Sequence, residues 1–124
     1  MAGLLGAGVL DAAALAYLQD LDPSGQAGLL PRVLRTYVSS LERQLHVLHS
    51  ARLNADAQGQ RHVAHTLKSS SASVGALQLS ALCADIEHKL RDGPIDGIES
   101  QLDALAKEAR RILAALRDAL PPSR

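Results

Sequence analysis

Ala64-His65-Thr66-Leu67-Lys68-Ser69-Ser70-Ser71-Ala72-Ser73-Val74-Gly75 is the stretch around which the rest of the chain can be understood. At about 100° per residue, Val63, Leu67, Ser70 or Ser71, and Val74 recur at the i, i+4, i+7, i+11 spacing of a buried stripe, which predicts an amphipathic helix. His65 lies two positions from both Val63 and Leu67, roughly 200° around the wheel. Its imidazole is therefore expected to face water. Lys68 and Ser69 follow at i+3 and i+4, with Ala72 a further turn along. The strip beside His65 thus carries one cation and otherwise small side chains, so another protein can approach it closely.

The remaining chain supplies partners for that helix. Its 124 residues make one domain by length, large enough to bury well over half of the unfolded surface in a single core. The composition is 47% apolar but only 2% aromatic, with no Phe or Trp, which favours packed helices with small residues at close contacts. Asp11, with Leu10 and Leu15 placed for a hydrophobic staple, caps a short helix to about Asp20, with Leu15, Leu18 and Leu21 along its apolar edge. Asp22-Pro23-Ser24-Gly25 is a turn. From about Gln26 to Leu53, Leu30, Leu34, Tyr37, Val38, Leu41, Leu45 and Leu48 mark a long helix, with Pro31 tolerated in its first turn. Asp56 caps the histidine-bearing helix and Gly75 closes it.

A further helix is expected from Ala76 to Arg91, with Leu79, Leu82, Cys83, Ile86 and Leu90 inward, ending at Asp92-Gly93-Pro94. The last starts near Pro94 or Asp96 and runs to about Leu120, with Gly97 weakening its first turns and Pro121 and Pro122 stopping it. The fold class is accordingly all-α. An antiparallel up-down-up-down four-helix bundle occupies residues 27–120, a short additional N-terminal helix covers one end, and residues 1–10 are a tail or linker.

Thirteen basic and thirteen acidic side chains cancel. No broad positive field for nucleic acid or an anionic membrane is expected, and no direct membrane insertion. The apolar first residues lack a basic leader region and meet Asp11 well before a spanning length. The lone Cys83, on an apolar stripe, suits packing in a reducing compartment, so a cytoplasmic location is expected.

The histidine segment resembles the histidine-containing phosphotransfer (HPt) domain, whose motif reads roughly His-x-Leu-Lys-Gly-Ser-Ser-Ala-x-x-Gly. Here it stands as His65, Leu67, Lys68, Ser69, Ser70, Ser71, Ala72 and Gly75, with Ser69 where the family usually has Gly. The match continues through Leu79, Leu82, Cys83, Ile86, Glu87 and Arg91. The resemblance implies a phosphotransfer intermediate of a His-Asp multistep relay, with His65 as phosphoacceptor. Its partners are then receiver domains of response regulators, a hybrid sensor histidine kinase, or both. It further implies a domain that acts as a monomer, no cofactor of its own, and Mg²⁺ only in the receiver's acidic pocket.

Neutral imidazole is a good nucleophile near its reference pKa of about 6.5. Phosphoryl transfer needs mainly positioning and charge stabilisation. Lys68, one turn along the same face, is expected to bring its ammonium to the phosphoryl oxygens. HPt relatives often carry Glu or Gln at the place of Glu87, which is expected to accept from the ring N–H of His65 and leave the other nitrogen free. The ordinary alternative is a surface acid paired with Lys89 or Arg91. Ser69, Ala72, His62 and Arg91 are candidates for partner binding, while Ser70 and Ser71 are structural. No Gly-rich nucleotide motif is present, so no autonomous kinase is expected. Two rivals stand beside this reading: a helical binding module that exchanges no phosphate, and a metal-binding bundle using His62, His65 and His88.

Overall fold

The computed structural model describes residues 9–120. Five helices follow one another: α1 (Ala12–Asp20), α2 (Leu29–Leu53), α3 (Ala57–Val74), α4 (Leu77–Asp92) and α5 (Ile98–Ala119), with no strand among the described residues. Each of the four long helices packs on its sequence neighbour, and α5 returns to α2, so the bundle closes as a ring. Leu34, Leu41, Val63, Leu67, Leu79, Cys83, Ile86, Leu102, Leu105, Ala109, Ile112 and Leu116 are fully shielded along its axis. They are the residues that the helical period places inward. No described helix is long and apolar enough to cross a membrane.

The ends of the helices differ in places from the sequence-based expectation, for local reasons. Residues 26–28 belong to the turn rather than to α2, because the Asp22 carboxylate accepts from the Ala27 and Leu29 N–H groups at 3.3 and 3.1 Å and Gly28 takes a left-handed conformation. Gly97 does not weaken the first turns of α5. It stands just outside them as the N-cap, with φ +76°, and the helix begins one residue later than the glycine. Leu82 and Leu90 are only partly buried, whereas Glu87 occupies a buried position on α4. Pro121 and Pro122 lie outside the described residues.

The N-terminal segment packs more tightly than a tail. Residues 1–8 lie outside the described residues, but Val9 and Leu10 are buried, and Leu10 with Leu15 brackets the Asp11 cap, whose carboxylate accepts from Ala14 N–H at 3.2 Å. Leu21, expected on the apolar edge, is 58% exposed because the helix ends at Asp20 and the chain turns away. Helix α1 packs against α2 and α3.

Gly75 makes that docking possible. It ends α3 at φ +84°, with Ala76 N–H donating to the Ser71 carbonyl at 2.8 Å, the long bond of a Schellman end. Its own carbonyl accepts from Asp11 N–H at 2.8 Å, and a Cβ there would stand 2.8 Å from that nitrogen and 2.9 Å from Ala14 Cβ. Both the backbone conformation and the close approach exclude a side chain. We expect Gly75→Ala to destabilise the fold by about 2 kcal/mol or more, visible as a lower urea midpoint. An unchanged midpoint would show that α1 does not depend on this contact.

Of the two serines eligible for the inner stripe, Ser71 is the buried one, and its hydroxyl shares a 2.8 Å hydrogen bond with Tyr37. Burial pushes the Tyr37 phenol up to about 12, so it stays protonated and the pair ties α2 to α3. Burial likewise pushes the Cys83 thiol up to about 12, which makes it a packing residue and a poor nucleophile.

Candidate functional site

Because Val63 and Leu67 are fully buried, the helical wheel turns His65 outward, and its side chain is 64% exposed. Across the interhelical groove, Ile86 anchors the inner face of α4 and carries its neighbour Glu87 to the seam between α3 and α4. Glu87 uses both carboxylate oxygens. Oε2 lies 2.5 Å from His65 Nδ1, and Oε1 accepts from Lys68 Nζ at 2.5 Å. Below this contact, the Ser80 hydroxyl donates to the Lys68 carbonyl at 2.8 Å and further fastens α4 to α3.

The electrostatics assign the proton. Lys68's hydrogen bond holds the Glu87 carboxyl below its ordinary value, with a further contribution from His65, against the opposing effect of burial. An ionised carboxylate only accepts, so His65 Nδ1 must be the donor. In the neutral ring the lone pair is therefore on Nε2, the nitrogen with no hydrogen bond among the described residues. The alternative pairing of Glu87 with Lys89 or Arg91 does not occur. Lys89 donates to the Asp96 carbonyl at 3.0 Å, and Arg91 donates to Asp92 at 3.2 Å.

Lys68 sits where the helical spacing puts it, but its ammonium is turned to Glu87, a contact not foreseen from the sequence. Ser69 and Ala72 are exposed one and two turns beyond His65. On the other side of the ring an open hollow of about 660 Å³ is lined by His62, His65, Glu87 and Arg91, together with Arg61 and the first turn of α3 at Asp56, Gln58 and Gly59. The expected binding residues thus divide between two flanks: His62 and Arg91 border the hollow, whereas Ser69 and Ala72 do not. Arg61, four residues before His65 on the same helical face, also lines the hollow, a position that its i−4 spacing makes legible. His88 pairs with Asp92 at 3.2 Å, and no group of three metal-ligating side chains is found among the described residues.

An exposed imidazole with a defined tautomer and a carboxylate behind it is suited to attack an electrophile carried by another protein. The family model for the Hpt domain matches residues 32–121. The crystal structure of histidine-containing phosphotransfer protein B (HptB) from Pseudomonas aeruginosa PAO1 superposes with a TM-score of 0.77 at 29% identity, over 90% of this chain and 93% of that one. The HPT domain of a sensor hybrid histidine kinase from Shewanella shares the fold, with a TM-score of 0.71 at 20% identity over 90% and 92% of the two chains. No curated protein matches the sequence. With the family model spanning most of the bundle, from α2 to the end of α5, the chain belongs to the Hpt domain family and is a phosphotransfer intermediate of a His-Asp phosphorelay.

Proposed function

We propose that His65 carries the phosphoryl group, through Nε2, and that Glu87 and Lys68 prepare it to do so. The observation that carries this reading is the 2.5 Å contact between His65 Nδ1 and Glu87 Oε2 on a ring that is otherwise open to a partner. In the forward step the Nε2 lone pair attacks phosphorus of a receiver aspartyl phosphate, the N–P bond forms, and the P–O bond to the aspartate breaks with its electron pair leaving on the carboxylate. Both ring nitrogens are then substituted and the ring is cationic. The Glu87 carboxylate, hydrogen-bonded to Nδ1–H, stabilises that charge. Transfer to a second receiver aspartate reverses these bond changes.

Lys68 has a role through Glu87. Its ammonium keeps the carboxylate ionised and holds it against the ring, so that Lys68 is a positioning residue in the unphosphorylated protein. Ser69 and Ala72 form the flank on which a receiver docks, and His62 and Arg91 the opposite rim. The partners are receiver domains of response regulators or of a hybrid sensor kinase, and the receiver supplies any Mg²⁺. The domain works as a cytoplasmic monomer without kinase activity and without nucleic acid.

The test is incubation with a ³²P-labelled phosphorylated receiver domain. Acid-labile label on this chain is the expected result. A folded protein that binds receivers but takes no label from several of them would replace the relay reading with that of an interaction module.

A further inference from the structure

The hollow beside His65 holds a cation that the relay chemistry above leaves without a task. Arg61 lies four residues before His65 on α3, about 6 Å along the helix axis, and lines the same hollow in a half-buried position. No hydrogen bond or ion pair to its guanidinium occurs among the described residues. The other guanidinium at the hollow, that of Arg91, contacts Asp92 and His88, and Lys68, outside the hollow, holds its Nζ on Glu87 Oε1.

The negative groups at the hollow are also committed. Both Glu87 oxygens are engaged, and Asp56, nine residues from His65 and about 13 Å along the axis, accepts from Gly59 N–H at 3.0 Å. Helical side chains lean toward the N-terminus of their helix, which tilts the His65 ring over the turn that carries Arg61. A half-buried guanidinium with five donors and no acceptor is matched in charge and geometry by phosphoryl oxygens.

We infer that Arg61 is the phosphoryl-binding cation of the phosphorylated state, donating to the oxygens of the group on His65 Nε2 while Lys68 remains on Glu87. The inference rests on His65 being the phosphoacceptor. It makes and breaks no covalent bond; it assigns the counter-charge of the phosphohistidine to a residue N-terminal of His65 rather than to Lys68.

Phosphoramidate, a small donor that needs no receiver docking, separates a phosphoryl contact from a docking contact. The whole chain is phosphorylated with it and the phosphohistidine is titrated by ³¹P NMR, for wild type, Arg61→Gln, Arg61→Lys and the distant exposed control Arg110→Gln. A guanidinium on the oxygens favours the dianion. The midpoint of the phosphoryl titration is therefore expected to rise by about half a unit or more in Arg61→Gln, to recover in part in Arg61→Lys, and to stay at the wild-type value in Arg110→Gln. Equal midpoints in wild type and Arg61→Gln would overturn the inference. If only transfer from a receiver were slower, Arg61 would be a docking residue and the inference would fall as well. A phosphohistidine signal that persists unchanged in His65→Gln would refute the underlying assignment of the phosphoacceptor, a result distinct from either of these.

Discussion

His65→Gln is expected to take up no label from a phosphorylated receiver while keeping the wild-type fold and thermal midpoint. The two parts of that outcome have separate physical grounds. Transfer is lost completely because an amide nitrogen has no basic lone pair to form the N–P bond, and among the described residues no hydrogen bond or ion pair joins His46, His49, His62 or His88 to a carboxylate of another helix. His46 and His49 are exposed on α2, and His88 contacts Asp92 of its own helix. Stability is retained because the His65 side chain is 64% exposed and its side-chain hydrogen bond among the described residues is to a carboxylate that still has Lys68 as a partner. Loss of an exposed contact of this kind costs well under about 1 kcal/mol. Circular dichroism melts beside the labelling assay check both parts, and residual acid-labile label in the variant would move the phosphoacceptor elsewhere.

Glu87→Ala is expected to slow phosphoryl uptake about 100-fold, and Glu87→Gln about 10-fold. The carboxylate contributes an acceptor for Nδ1–H and a negative charge beside a ring that becomes cationic; a charge-assisted hydrogen bond of roughly 2–3 kcal/mol corresponds to that hundredfold loss. Glutamine keeps the acceptor oxygen and loses the charge, so it retains part of the rate. Single-turnover transfer from a labelled receiver measures both variants, and rates within about twofold of wild type would remove Glu87 from the site.

The same residue gives a dependence of stability on pH. Its folded-state carboxyl lies below the ordinary value of 4.5, chiefly through the Lys68 hydrogen bond. The unfolded chain therefore takes up the proton first on acidification. The stability contributed by the contact is complete above about 4.5 and is lost as pH falls toward the depressed folded value. In urea titrations, the advantage of wild type over Glu87→Gln is expected at neutral pH and should close below that window. An advantage that grows on acidification would contradict the direction of the shift.

What the amino-acid sequence by itself determined is whatever depends on neighbours within a turn or two. The stripes of α2 to α5, the outward position of His65, the Asp11 and Asp56 caps and the stop at Gly75 all follow from helical period and capping chemistry, which act over three or four residues. The motif around His65 added a resemblance that the family match supports. Tertiary structure alone decided which face meets which. Nothing local distinguishes a Glu87 that bonds His65, 22 residues away, from one that pairs along its own helix; packing of Ile86 into the core brings the carboxylate to α3. The same packing turns Lys68 onto Glu87 and leaves Arg61 facing the hollow. It also sets Asp11 against Gly75, where close backbone approach, more than helix termination alone, excludes a side chain. Side-chain partners across a groove depend on interhelical distance and rotation, which are set by the volumes of the buried residues together and cannot be read from any one segment.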